Sequence, residues 1–316
     1  MSRYLVKRLL LAVPTVLGLT MLIFFTLRIL PGDIALTIVG DDANVSAERL
    51  DEIRRTLHLD QPIWVQYLDW LRQLASMDLG KSFGSDYPIA KRLLAAIPVT
   101  FNLAAYTLVL TVLMAVPLGA LSAIKRNSWV DYLCRCLALI GLSTPSFWVG
   151  IITLMVLAFS FNWMPQITVV GFLEDPVTNF SQFIWPALVL AAAQTAVLAR
   201  LTRSALLEVL GEDYVRTARA KGLRENIVLL NHALRNALLP VVTLLGLQFA
   251  ALMEGAVITE TVFGLPGLGS TLIQGINAKD FPLIQSSVLF IGLLVIVINL
   301  AIDLSYAWLD PRIKFD

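Results

Sequence analysis

Long uncharged apolar runs, separated by polar stretches, organise the chain from end to end. A bilayer core of ~30 Å takes about 20 apolar residues as a helix, and six runs reach or approach that length. They predict spans at about 9–30, 101–124, 137–161, 183–203, 237–259 and 281–303. Four of the runs, Leu9–Leu27, Phe101–Ile124, Leu137–Phe161 and Phe183–Ala199, carry no charge. Ala237–Thr259 holds one acid, Glu254, and Phe281–Ile302 is uncharged up to Asp303. Arg3, Lys7 and Arg8 precede the first run as they would in a signal peptide. Its apolar stretch is longer than an h-region and no small-x-small cleavage site follows, so it reads as a retained anchor.

Charge sets the orientation. With a cytoplasmic N-terminus, the inner segments hold Arg3, Lys7, Arg8, Lys125, Arg126, Arg135, Arg200, Arg203, Arg216, Arg219, Lys221, Arg224, Arg235, Arg312 and Lys314. The short outer loops 162–182 and 260–280 hold only Lys279. The other basic residues fall between Arg28 and Arg92, in a stretch long enough to escape the positive-inside rule. The expected fold class is an all-α membrane protein of six transmembrane helices with both termini cytoplasmic, forming a single transmembrane domain over 1–316. Composition agrees: counting Gly and leaving out Tyr, about 60% of residues are apolar against ~45–50% in a soluble domain, and only 15% are charged. A net charge of +1 gives no basic field for nucleic acid.

Two regions lie outside the bilayer. Residues 31–100 form a long extracytoplasmic segment, in which Trp64, Tyr67, Leu68, Leu71 and Leu74 recur at amphipathic-helix spacing. That helix either lies on the membrane or the other spans, or docks an extracytoplasmic partner. Residues 204–238 form a charged cytoplasmic loop that reads as two short helices broken at Gly222, a residue suited to the left-handed turn at a helix C-terminus. The loop is either a headgroup-facing surface or a peg for a cytoplasmic protein.

Catalytic and metal chemistry find little support. Gly80-Lys81-Ser82 lacks the earlier glycine of a phosphate-binding loop, position 75 being Ala. His58 and His232 fall on opposite sides of the membrane, and two His with two Cys (Cys134, Cys136) make no ligand set. Glu254 lies inside the fifth span, where it either lines a water-filled path or pairs with another subunit's donor. Small residues at four-residue spacing, Ala192 with Ala196, Gly246 with Ala250 and Ala251 with Gly255, let helices approach closely or leave room for a solute.

The loop also carries a resemblance. Asp213-Tyr-Val-Arg-Thr-Ala-Arg-Ala-Lys-Gly222-Leu, followed by His232-Ala-Leu-Arg-Asn-Ala-Leu-Leu-Pro240, resembles the coupling loop of inner-membrane permease subunits of ABC importers, in the dipeptide/oligopeptide/nickel branch. Arg216-Thr217-Ala218 stand where the general permease motif has Glu-Ala-Ala, and His232-Ala-Leu-Arg235 where it has Ile-x-Leu-Pro. Leu30-Pro-Gly-Asp33, Asp78-Leu-Gly-Lys-Ser82, Thr144-Pro-Ser-Phe-Trp-Val-Gly150, Glu260-Thr-Val-Phe-Gly-Leu-Pro-Gly-Leu-Gly269 and Leu309-Asp-Pro-Arg312 look like the same branch.

The resemblance implies a bacterial inner-membrane subunit with no cofactor of its own. Its implied partners are a sister permease, two cytoplasmic ABC ATPase subunits that hold ATP and Mg, an extracytoplasmic solute-binding protein and the lipid bilayer. It implies ATPase coupling through Ala218, Arg219, Lys221, Gly222, His232 and Arg235. A translocation path or gate is expected at Glu254, Glu260, Gly264, Pro266, Gly267 and Gly269, because the glycines and proline oppose a continuous helix. Short peptides head the solute classes, with nickel chelates, opines and glycosides open. The alternative is a stand-alone secondary transporter or channel, for which internal repeats and coupling-ion acids would be expected.

Overall fold

The computed structural model describes residues 2–29, 50–51, 54–55, 59–83, 85–166 and 168–309, without the side chains of 2–7, 9, 250, 254, 301 and 303–309. His58 and the Leu30–Asp33 and Asp310–Arg312 motif positions lie outside the described residues. Every regular element among the described residues is helical: α1 (Ser2–Ile29), α2 (Ile63–Ala75), α3 (Ile89–Ile124), α4 (Trp129–Ser143), α5 (Ser146–Phe161), α6 (Pro176–Leu210), α7 (Asp213–Ala220), α8 (Arg235–Phe263), α9 (Leu268–Asn277) and α10 (Phe281–Leu309). Among the described residues, five helical stretches are long and apolar enough to cross a bilayer. Two broken pairs, α4 with α5 and the end of α8 with α9, qualify only when each pair is taken together.

The helices behind three of the expected spans have other bounds. The second was expected from residue 101, but α3 begins at Ile89; its 36 residues rise about 54 Å at 1.5 Å each, well beyond the bilayer core. Lys91 and Arg92 mask that start from a search for uncharged runs. The third was expected as one helix over 137–161, but α4 and α5 meet at 100°. Pro145 explains the bend: it disfavours helical backbone at the residue before it, and Thr144 is extended at φ −95°, ψ 125°. The fourth helix begins earlier than expected too, because Asp175 caps the amides of Val177 and Thr178 and Pro176 occupies the first turn.

The chain divides into two compact units, Met1–Pro98 with Pro266–Asp316, and Val99–Leu265. In the first, α1 lies along α10, where a side chain on Gly292 would come within 2.5 Å of Leu19. Helix α2 seats Tyr67 and Trp70 against Phe24 of α1, at ring separations of 5.4 and 5.7 Å. Arg28 Nε donates to Gln66 Oε1 (3.0 Å), and Thr20 shares a hydrogen bond with the Tyr67 hydroxyl. The expected stripe on α2 is therefore displaced: Gln66 and Tyr67 are buried, while Trp64 and Leu68 are exposed. The inward face must supply partners for Arg28 and Thr20, so it is polar-aromatic instead of aliphatic. The Gly80-Lys-Ser82 segment is structural as well. Ser82 Oγ donates to buried Asp280 (2.5 Å), which accepts the Leu283 amide at the start of α10.

In the second unit α6 is the central helix, buried along Phe183, Ala187, Leu190, Ala191 and Leu198. A side chain on Gly119 of α3 would lie 2.6 Å from the Ala199 carbonyl, and one on Gly141 of α4 would lie 2.8 Å from that of Ala192. The Ala192/Ala196 stripe is thus a packing surface for α4.

Candidate functional site

The charged hairpin begins where α6 ends. Asp213 sits in the first turn of α7 and Arg219 in the last, each placed favourably for the helix dipole. Val215 and Ala218, three residues apart, are buried and pack on Val228, Val209 and Leu210. Gly222 then turns the chain at φ +78°, a conformation that costs other L-residues about 1–2 kcal/mol. Across that turn the Arg219 guanidinium donates to both Glu225 carboxylate oxygens, at 2.8 and 3.2 Å. This pairing holds the Glu225 carboxyl below the usual carboxylate range.

Beyond the turn the backbone stays helical into the bilayer. Glu225–Ile227 forms a short α-turn, Val228–Leu234 is π-helical, and α8 follows without a break. The π-turn has a packing reason. Val228 and Ala233 are both fully buried; five residues apart, they would diverge by about 140° on an α-helix at 3.6 residues per turn. The wider π-turn keeps both on the inner face, Val228 under α7 and Ala233 against Ala123 and Leu206. Asn236 ties the ends together, donating to the Tyr214 hydroxyl (2.8 Å) and the His232 carbonyl (3.0 Å). Sequence reading expected a second short helix here; the structure instead gives one run from Glu225 through Pro240 to Phe263.

The structure brings Arg219, Lys221 and Gly222 to the exposed surface of the hairpin, with His232 half-buried and Arg235 exposed on the following turns. Ala218, at 6% exposure, is the small residue that lets α7 sit on Val228.

Sequence reading missed the strongest electrostatic feature of this unit. Asp131 of α4 is fully buried and accepts from Ser122 Oγ of α3 (2.5 Å), Arg203 Nε and Nη2 of α6 (3.0 and 2.9 Å) and the Asn127 amide (3.0 Å). Arg135 adds an ion pair at 3.3 Å. One carboxylate therefore pins three helices together, and Ser128, which caps the Asp131 amide, is the Ser-x-x-Asp signal that could have located the start of α4.

The gate candidates are divided between the two units. Helix α8 stops at Phe263 with Gly264 at φ +65°, and α9 starts at Leu268 after Gly267, so the expected interruption is present. Glu260 is fully buried in the second unit and accepts from Thr100 Oγ1 at 2.6 Å, while its carbonyl accepts the Leu265 amide. In the first unit, the Gly267 carbonyl accepts from the Thr271 and Ser270 hydroxyls, and Gly269 is buried in α9. Gly264 and Pro266 are exposed. The side chain of Glu254 lies outside the described residues. Neither locality holds a metal set; among the described residues no group of three His, Cys, Asp or Glu converges.

The family model described as binding-protein-dependent transport system inner membrane component matches residues 115–315, and that of its N-terminal part matches 1–104. The chain belongs to this family. It is accordingly a multi-pass protein of the bacterial inner membrane, an ABC importer permease subunit and not an enzyme. A Brucella abortus protein whose name assigns it to a peptide transport system is 41% identical over the full length of both chains. The dipeptide transport system permease protein DppB of Escherichia coli K12 is 38% identical over 99% of each chain, and that of Alkalihalophilus pseudofirmus 36% over the whole of both. A crystal structure of an amino acid ABC transporter with histidines aligns at a TM-score of 0.51, covering 69% of this chain and 94% of that one. At 14% identity it speaks to the fold alone.

Proposed function

We propose that this chain is the transmembrane subunit of an ATP-driven importer and forms, with a sister permease, a path for short peptides delivered by an extracytoplasmic binding protein. The whole chain acts as one permease domain. Six passages serve it: α1, α3, the bent α4–α5 pair, α6, α8 and α10, with both termini cytoplasmic and α9 a non-spanning element. ATP and Mg are held by two cytoplasmic ATPase subunits. Full-length likeness to permeases named for peptide and dipeptide transport supports the substrate class.

The hairpin carries the coupling half of the reading. Its helix is fixed from within by Val215, Ala218 and Val228 and across the Gly222 turn by Arg219–Glu225. Its exit is one continuous helical run into α8. A push on Arg219, Lys221 and Gly222 therefore moves α7 and α8 as one body, the rigid-body transmission that alternating access requires. Glu260 and the Gly264–Gly269 interruption stand at the other end of α8, where irregular backbone needs burial or water, and serve as the outer gate.

Purification of the tagged chain from its native membrane in mild detergent tests this reading. The expected result is co-purification of a sister permease and ATPase subunits, reduced at least ~10-fold, or about 1.4 kcal/mol, by Arg219→Glu with Lys221→Glu. A chain that purifies alone and transports solute in liposomes without ATP would overturn it in favour of a secondary carrier or channel.

A further inference from the structure

The ends of α3 and α6 and the start of α4 enclose a pocket lined by Leu118, Ser122, Cys134, Arg135, Arg200 and Arg203. Three arginines line it beside one carboxylate, Asp131, whose oxygens are already taken by Ser122, Arg203 and the Asn127 amide. Arg203 is neutralised by that bidentate pairing. Arg135 is held less tightly: its buried Nε pairs with Asp131 at 3.3 Å, outside hydrogen-bond geometry. At the same time 41% of the Arg135 side chain is exposed. Arg200, one turn before Arg203, is exposed, and so are Lys125 and Arg126 on the turn into α4. The locality carries a surplus of positive charge.

Its flanks are those of a membrane boundary. Trp129 is 75% exposed and Tyr132 57%, and the Tyr132 ring lies 4.6 Å from the Arg135 guanidinium carbon. Exposed Trp and Tyr beside basic residues at a helix end sit at headgroup level. From there Leu133, Leu137 and Ile140 continue as exposed apolar residues along α4, toward the hydrocarbon.

We infer that the exposed rim of this pocket binds the phosphate of an anionic phospholipid. Arg135 and Arg200 take the phosphate oxygens through the exposed ends of their side chains. Trp129 and Tyr132 lie at the glycerol level, and the α4 stripe carries an acyl chain. Basic pockets between spans on the cytoplasmic side are suited to such headgroups. The site requires only that these helices cross a bilayer, so it stands or falls separately from the importer reading. A bound lipid would bridge α4 and α6 where Asp131 already joins them, making their packing sensitive to membrane charge.

The test is native mass spectrometry of the purified full-length chain, equilibrated with phosphatidylglycerol or with phosphatidylcholine. We expect at least ~10-fold preferential retention of phosphatidylglycerol. It should be abolished in Arg135→Ala/Arg200→Ala, kept in Arg135→Lys/Arg200→Lys, and unchanged in Arg216→Ala on the hairpin. The single Arg200→Gln variant, at an exposed position, should lose part of the preference without touching the Asp131 ion pairs. Equal retention of both lipids, or a preference that survives the double alanine change, would overturn the site. Displacement of the lipid by excess inorganic phosphate would overturn the lipid assignment in favour of a free anion.

Discussion

Two ion pairs in the second unit use the same chemistry to opposite ends. Asp131–Arg203 is bidentate, its carboxylate fully buried, and it joins α4 to α6 with Ser122 of α3 as a third partner. Arg219–Glu225 is also bidentate, but its side chains are 41% and 55% exposed and only six residues apart. Desolvation makes the first costly to assemble and very costly to break. Solvent and salt leave the second worth little in stability, though it still fixes the angle of the Gly222 turn. A rigid scaffold and an adjustable surface are thus built from one residue pairing, and burial alone decides which is which.

The sharpest way to break this contrast is to remove one buried partner. Asp131→Ala strands the Arg203 guanidinium at the α4–α6 interface, and the expected loss is roughly 3–5 kcal/mol, read as a lowered thermal unfolding midpoint in detergent. Replacing both partners with apolar residues, Asp131→Leu with Arg203→Met, should recover most of that loss, because no buried charge is then left unpaired. If the single variant unfolds like the parent, Asp131 is not the pin that its geometry describes.

A middle-sized effect is expected at the turn. Gly222→Val places a β-branched residue at φ +78°, where about 1–2 kcal/mol of backbone strain falls on the hairpin. A Cβ at this position meets no atom within 4 Å, so the strain is conformational and not steric. The global unfolding midpoint should therefore move far less than with Asp131→Ala, while co-purification of ATPase subunits falls. Gly222→Asn, which tolerates the left-handed region better, should restore part of it. Equal loss in both variants would point to contact chemistry at Gly222 instead of turn geometry.

The two regions also differ in how far they could be read from the chain. The hairpin was legible because its signals are local: Gly222 marks the turn and the charged run marks exposure. The π-turn at 228–234 was not, since it answers to the simultaneous burial of Val228 and Ala233 on different neighbours. The Asp131 pin joins residues 72 apart in sequence, and no periodicity announces such a pairing. Boundaries failed where polar residues sit inside helices: Lys91 and Arg92 hid the start of α3, and Pro145 was passed over inside an uncharged run that folds as α4 and α5. Apolar runs report what the bilayer requires, and are silent on where a helix outlasts or breaks within it.

The smallest expected effect concerns Arg219–Glu225 and runs through pH. Hydrogen bonding from Arg219, with its charge, lowers the Glu225 carboxyl below its ordinary value. A depressed folded-state pKa means that the pair's contribution is present above the unfolded carboxylate pKa, roughly 4.3. It is lost as pH falls through the lowered folded value. Because both groups are exposed, the effect is screened and modest, so global unfolding is the wrong readout. Amide hydrogen exchange over 219–227, followed from neutral pH downward and corrected for the intrinsic exchange rate, should show protection falling only in the acid range. Glu225→Gln should flatten that profile and also weaken its dependence on salt, while the Asp131 region stays unchanged in both chains. A profile that persists in Glu225→Gln would assign the closure of the turn to Val215, Ala218 and Val228 alone.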